Sequence, residues 1–275
     1  MTAVTLGTPS AGVRPRRPAQ VRLLHNSLVL AKRNLIKLTR TPEQLIDVTL
    51  QPIIFLLLFY YVFGGAFGGG GFATRHDYLE FLLPGLLGQT LAMSSIAIGQ
   101  NMNADIEKGV FDRFRSLPIG RAVPLVGAVL AEFFRYLMVC VISIGFGYIL
   151  GFRIHTNLLG LLGAVGLSIC FALAFAWVSV WVGMKVRSAG SVQGLMMLLV
   201  LPLSFGSNTF VPVTTMPGWL QAFVNVNPIS HLVSAVRGLL LGGPVASDVG
   251  WTFAWIAGLL AVFFPLALRA YIRRT

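Results

Sequence analysis

Side chains able to do chemistry are scarce in this sequence. Among its 275 residues are four histidines, nine acidic residues and two cysteines, and they do not assemble into a catalytic or metal-binding pattern. His25, His76, His155 and His231 lie in separate stretches, and Cys140 and Cys170 each sit inside an apolar run, where they read as small packing residues. The chain has no GxxxxGK[ST] nucleotide loop, no HExxH, no GxSxG and no cysteine cluster. It is therefore expected to hydrolyse no ATP through a P-loop of its own and to carry no cofactor or metal.

The densest charge falls between Asp105 and Arg115, where Asp105, Glu107, Lys108, Asp112, Arg113 and Arg115 crowd into eleven residues. Ile106, Val110, Phe111, Phe114 and Leu117 recur there at intervals of mostly three and four, so a helix over 105–117 would set an apolar face beside a charged one, and Pro118 would end it. Two readings stay open on these residues alone: a solvated helix lying on a membrane, or a docking surface for a cytoplasmic protein.

A second charged feature is Glu132 and Arg135, one helical turn apart inside an apolar run. An ionisable residue within a membrane is a functional candidate, while an i, i+3 pair also serves plain structure. The pair is accordingly a candidate for an inner gate, with a structural ion pair as the alternative. Gln89, Ser94, Ser95, Gln100, Ser168, Ser179, Ser204, Ser207 and Asn208 could line a substrate route, but helix-to-helix hydrogen bonding is the commoner use of such residues.

The elements that must position these groups are membrane spans. The sequence is 56% hydrophobic and 11% charged, with a net charge of +12, against about 25% charged residues in ordinary soluble domains. Apolar runs over about 45–67, 78–102, 124–152, 158–184, 189–211 and 249–268 predict six transmembrane helices in an all-α fold, since about 20 residues cross a bilayer. Residues 1–19, rich in Pro, Gly and Arg, read as a disordered tail, with no cleaved signal peptide expected. Over 20–40 the pattern suits an amphipathic helix on the lipid surface. Residues 212–248 are too apolar for an aqueous loop and too broken by Pro212, Pro217, Pro228 and Pro244 for two more spans, so short outer-leaflet or re-entrant helices are expected over about 213–243.

Basic residues near span ends favour the cytoplasm. Eight precede the first span, and Lys108, Arg113, Arg115, Arg121, Lys185, Arg187, Arg269, Arg273 and Arg274 share their side; Arg75, Arg153 and Arg237 lie opposite. Both termini are therefore expected in the cytoplasm, with the chain multi-pass in the plasma membrane. The same bias accounts for the basic charge through attraction to anionic lipid, and nucleic acid is not an expected partner.

The order of these features, together with Glu107-Lys-Gly-Val-Phe-Asp-Arg-Phe-Arg-Ser-Leu-Pro118 and Val226-Asn-Pro-Ile-Ser230 continuing to Arg237-Gly238, resembles the membrane subunit of type-2 ABC exporters. The daunorubicin-resistance-type permeases are the nearest pattern, over about residues 21 to 270. The resemblance implies a coupling helix that docks on separate ABC ATPase subunits, which would bind ATP and Mg, and a second permease copy, identical or paralogous. Glu107, Gly109, Phe111, Arg113, Leu117 and Pro118 match the coupling motif, with Asp105, Asp112, Phe114 and Arg115 beside them; Asn227, Pro228 and Arg237 match the later motif. The expected function is ATP-driven export of a hydrophobic or amphipathic molecule. An ion-gradient carrier is the alternative, and it would need acidic sites deep in the bundle, where the sequence offers only Asp47 and Glu132, each near an expected boundary. A membrane enzyme acting on lipids would need a clustered His, Asp or Ser constellation at one interface.

Overall fold

A computed structural model describes residues 42–64, 72, 74–109 and 123–274, and every regular element among them is a helix. Helix α1 (Pro42–Leu58) contains Pro52 and continues into a wider π turn over Phe59–Phe63. Helices α2 (Arg75–Ser94) and α3 (Ile96–Glu107) form one continuous rod through Ser95. Then follow α4 (Val123–Ile149), α5 (Leu158–Lys185), α6 (Ala189–Phe205), a short 3-10 turn (Val213–Thr215), α7 (Gly218–Val226), α8 (Pro228–Leu241) and α9 (Ala246–Arg274).

Local chemistry sets several of the starts. Thr74 and Asp77 close a capping box at the head of α2: the Thr74 hydroxyl accepts from Asp77 N at 3.2 Å, and Asp77 Oδ2 accepts from Thr74 N at 2.9 Å. Asn157 caps α5 by accepting from Gly160 N, and Ser188 caps α6 by accepting from Ser191 N.

Among the described residues four helices are long and apolar enough to cross a membrane: Arg75–Glu107, Leu125–Ile149, Leu158–Lys185 and Ala246–Arg273. The other two expected spans are shorter apolar helices, Thr49–Val62 and Ala189–Phe205. At 1.5 Å per residue the 17 residues of α6 reach about 25 Å, short of a hydrocarbon core of about 30 Å. The helix ends at Phe205, where Gly206 leaves helical geometry at φ −84, ψ 37 and the chain turns.

The α2–α3 rod is central, with 83% of its most apolar stretch buried, and α1, α4, α5, α6 and α8 pack around it. Helix α9 lies at the edge on α5 and α8; only 11% of its stretch is buried, and Trp251, Phe253 and Val262 face outward. An outward apolar helix of this length has lipid or another apolar surface as its solvent. The tightest crossing joins α3 to α5. A Cβ on Gly99 would strike the Ser179 carbonyl, and one on Gly183 would strike the Gly99 carbonyl, so small residues let two backbones touch where lipid supplies no hydrophobic drive to associate. Asn103 then locks that crossing, its amide donating to Gly183 O at 3.0 Å and Val186 O at 2.8 Å.

The bundle has two unlike ends. One, the basic end, carries Lys108, Lys185, Arg187, Arg269 and Arg273, and the opposite end carries Arg75 and Arg153. The surface helix expected over 20–40 and the tail over 1–19 lie outside the described residues.

Candidate functional site

The chain leaves the central rod at the basic end through the segment that carried the densest charge. Asp105 and Glu107 are not the start of a separate helix over 105–117, since both belong to the last turns of α3. The helix stops because Gly109 adopts φ +63, with its N–H bonded to the Ile106 carbonyl at 3.0 Å, while Lys108 N bonds to Ala104 O at 3.1 Å. A left-handed residue just past a helix end is a position glycine fills without the steric cost of a Cβ. The glycine of the motif thus has a structural reason: it turns the chain directly below the central span. Phe111, Asp112, Arg113, Phe114, Arg115, Leu117 and Pro118 lie outside the described residues.

Glu132 and Arg135 are nine and twelve residues into α4, about three turns beyond its start. Both are under 10% exposed, and Arg135 Nη1 lies 3.4 Å from Glu132 Oε2. Arg135 Nε has no partner among the described residues. The next residue, Tyr136, donates its hydroxyl proton to Ser95 Oγ at 3.0 Å, and Ser95 Oγ in turn lies 3.0 Å from Leu91 O and 3.4 Å from Ala172 O. A polar seam therefore runs inside the protein where α2, α3, α4 and α5 meet. It faces protein, not lipid.

The later motif resolves into a brace. Asn227 caps α8 by accepting from Ile229 N at 2.9 Å, and its amide donates to Leu203 O at 2.7 Å and Gly206 O at 2.8 Å, two carbonyls at the end of α6. One side chain thus satisfies the start of one helix and the end of another, and Pro228 supplies the fixed φ suited to the first helical position. Arg237, further along α8, donates to Phe81 O from Nε and Nη2 and to Asn208 O from Nη2, with its guanidinium 3.7 Å from the Phe81 ring centroid. Among the described residues no carboxylate meets it: Asp77 caps α2, Glu80 faces two histidines, and Asp248 faces His231. Close to this brace, Gly85 lets α2 approach the 206–210 turn, because a Cβ there would lie 2.7 Å from Thr209 O.

Of the scattered polar residues, Ser95, Gln100 and Asn208 bond across elements, Ser168 and Ser207 bond locally, and Ser179 Oγ is buried without a partner among the described residues. Ser168 Oγ bonds back to Ala164 O, Gln100 donates to Gln193, Ser207 bonds to Ser204 O and Thr209, and Asn208 donates to Ser234. Gln89, 2% exposed, has neither amide atom paired among the described residues, and Ser204 Oγ and Asn208 Oδ1 are likewise without partners. These three lie where α2 meets the end of α6 and the turn after it.

One constellation had no sequence signal. Glu80 Oε1 lies 3.6 Å from His76 Nε2 and 3.3 Å from His155 Nε2, joining α2 to the link between α4 and α5 at the end opposite the basic one. His76 and Glu80 are neighbours one turn apart on α2, and fold proximity brings only His155 to them from a distant part of the chain. Among the described residues no group of three His, Cys, Asp or Glu is placed to hold a metal ion.

Residues 26–241 match the family described as ABC-2 type transporter. The chain is 40% identical over 262 residues to a daunorubicin resistance ABC transporter permease protein of Streptomyces coeruleorubidus, covering 95% of this chain and 90% of that protein. It is 28% identical over 270 residues to a doxorubicin resistance ABC transporter permease protein of Mycobacterium tuberculosis, covering 94% and 92%. A helical membrane bundle with a glycine-turned charged segment at its basic end, matched over most of its length by this family, has one assignment: the chain belongs to the ABC-2 type transporter family.

Proposed function

We propose that this protein is the permease of an ATP-driven exporter for hydrophobic or amphipathic molecules, and that its cargo class includes planar aromatic amphiphiles such as daunorubicin. The observation that carries this reading is the 40% identity over 95% of the chain to a permease named for daunorubicin resistance. The chain crosses the membrane six times, α1 with its π turn and α6 completing the set, and both termini are cytoplasmic. The short helices α7 and α8 sit in the outer leaflet ahead of the last span.

The segment after Gly109 is the coupling element. Its charges set the register on a partner ATPase, and Phe111 and Phe114 supply apolar contact. Two ATPases, carrying ATP and Mg, would drive two permease copies between states, and no chemical step occurs on this chain. The α2–α3 rod supports this assignment, since it runs unbroken from the capping box at Thr74 to the turn at Gly109. Movement of the segment is thereby transmitted along a rigid helix through the middle of the bundle. An ion-gradient carrier gains nothing from the arrangement, as Glu132, the buried acid among the described residues, already faces Arg135.

The test is daunorubicin accumulation in cells expressing the permease with its ATPase. Reduced accumulation that needs both chains and an intact ATP site in the partner supports the reading. Efflux by the permease alone that collapses with the ion gradient would overturn it.

A further inference from the structure

At the basic end, α5 and α9 run side by side and finish together, and between their ends lies a cleft of about 290 Å³ lined by Met184, Lys185, Arg187, Ala270 and Arg273. Met184 and Ala270 are buried and make an apolar floor, while Lys185, Arg187 and Arg273 are exposed around it. Cations in a last helical turn often cover the final carbonyls. Here none of the three makes a hydrogen bond or an ion pair among the described residues. Arg187 moreover lies past the end of α5, in the link to α6. Three basic residues with unused donors therefore line one small open cleft.

The surface running into the membrane from this cleft is apolar and aromatic. Trp181, one turn before Lys185 and half-buried, meets Phe263 edge-on at 5.6 Å, while Trp177, a turn further, is buried beneath that surface against Phe264 at 4.8 Å. Tryptophan at this depth is suited to the zone between headgroups and acyl chains. A phosphate in the cleft would gain charge-assisted hydrogen bonds from all three side chains, and a chain attached to it would lie along the α5–α9 face.

We infer that this cleft is a binding site for the phosphate of an anionic amphiphile, a phospholipid headgroup at the surface of the leaflet holding the basic end. A phospholipid held there would tie α9, the least buried long helix, to the inner end of α5.

The test uses the purified full-length chain in detergent and native mass spectrometry to count retained phosphatidylglycerol against phosphatidylcholine. Wild type is compared with Lys185→Gln/Arg187→Gln/Arg273→Gln, with a charge-conserving Lys185→Arg/Arg187→Lys/Arg273→Lys variant, and with Arg16→Gln/Arg17→Gln/Arg22→Gln, which removes equal charge elsewhere. Each cation contributes about fivefold, so the glutamine variant should bind phosphatidylglycerol on the order of a hundredfold more weakly. The charge-conserving and charge-matched variants should retain it, and inorganic phosphate at equal concentration should not displace it. Equal loss in the charge-matched variant would overturn the site, as would unchanged retention in the glutamine variant. Displacement by inorganic phosphate would overturn the lipid assignment. Unchanged lipid retention with loss of ATPase co-purification would give the cleft to a protein partner instead.

Discussion

Asn227 illustrates how one polar side chain can decide a junction inside an apolar bundle. Replacing it with Ala removes the cap on α8 and strands the Leu203 and Gly206 carbonyls at the end of α6. The loss of a cap costs about 1 kcal/mol and each stranded buried acceptor about 1–3 kcal/mol more, so Asn227→Ala should lower the unfolding midpoint of the detergent-solubilised protein markedly. A midpoint within error of wild type would remove the brace from this account. Glu132 and Arg135 lead to an asymmetric expectation. Breaking a buried pair from one side leaves an uncompensated charge at about 3–5 kcal/mol, whereas neutralising both with apolar residues of similar volume is far milder. Arg135→Met should therefore destabilise more than Glu132→Leu/Arg135→Met together, measured as thermal unfolding. If the double variant is the worse of the two, the pair stabilises by more than charge balance. Glu132 and Arg135 were legible as a pair from their spacing, but the partners of Asn227 and of the other polar residues were not. Arg237 finds its carbonyl acceptor on Phe81 across 156 positions, and His76 and His155 meet on Glu80 only because the α4–α5 link folds back over the head of α2. Composition and periodicity carry no trace of such contacts.

At the scale of elements, hydropathy read the long helices closely. The expected spans over 78–102, 124–152, 158–184 and 249–268 correspond to Arg75–Glu107, Leu125–Ile149, Leu158–Lys185 and Ala246–Arg273. A window of apolar residues suffices there because lipid-facing helices must satisfy their backbone internally. The same averaging misjudged the ends. The run over 189–211 continues to be apolar after the helix has stopped at Gly206, and the charged run from Asp105 belongs in its first residues to the span above it. Hydropathy cannot sense a left-handed glycine. Gly109→Ala forces a Cβ into φ +63 at a cost of about 1–2 kcal/mol, which should misdirect the segment below it. The expected result is weakened association with the ATPase at near-normal membrane insertion. Gly99→Leu, by contrast, would wedge α3 from α5 against the Ser179 carbonyl, and overpacking of that kind costs about 1–3 kcal/mol or more. Its readout is a fall in folded, monodisperse protein on size-exclusion chromatography.

For the whole molecule the organising feature is a buried central rod with a charged continuation. The α2–α3 rod touches most of the bundle, whereas α9 leaves most of its apolar stretch uncovered. A machine that converts events at the basic end into rearrangement of the membrane region needs such a difference between a rigid axis and a lightly held edge. The account therefore stands on the coupling segment. Its most direct test is co-expression of the permease with its ATPase and measurement of co-purification and ATP hydrolysis for wild type and a Phe111→Ala/Phe114→Ala variant. The account predicts that the variant inserts normally, while its ATPase recovery or its stimulated hydrolysis falls at least several-fold. A variant that inserts, holds the ATPase and supports ATP hydrolysis as wild type does would contradict it.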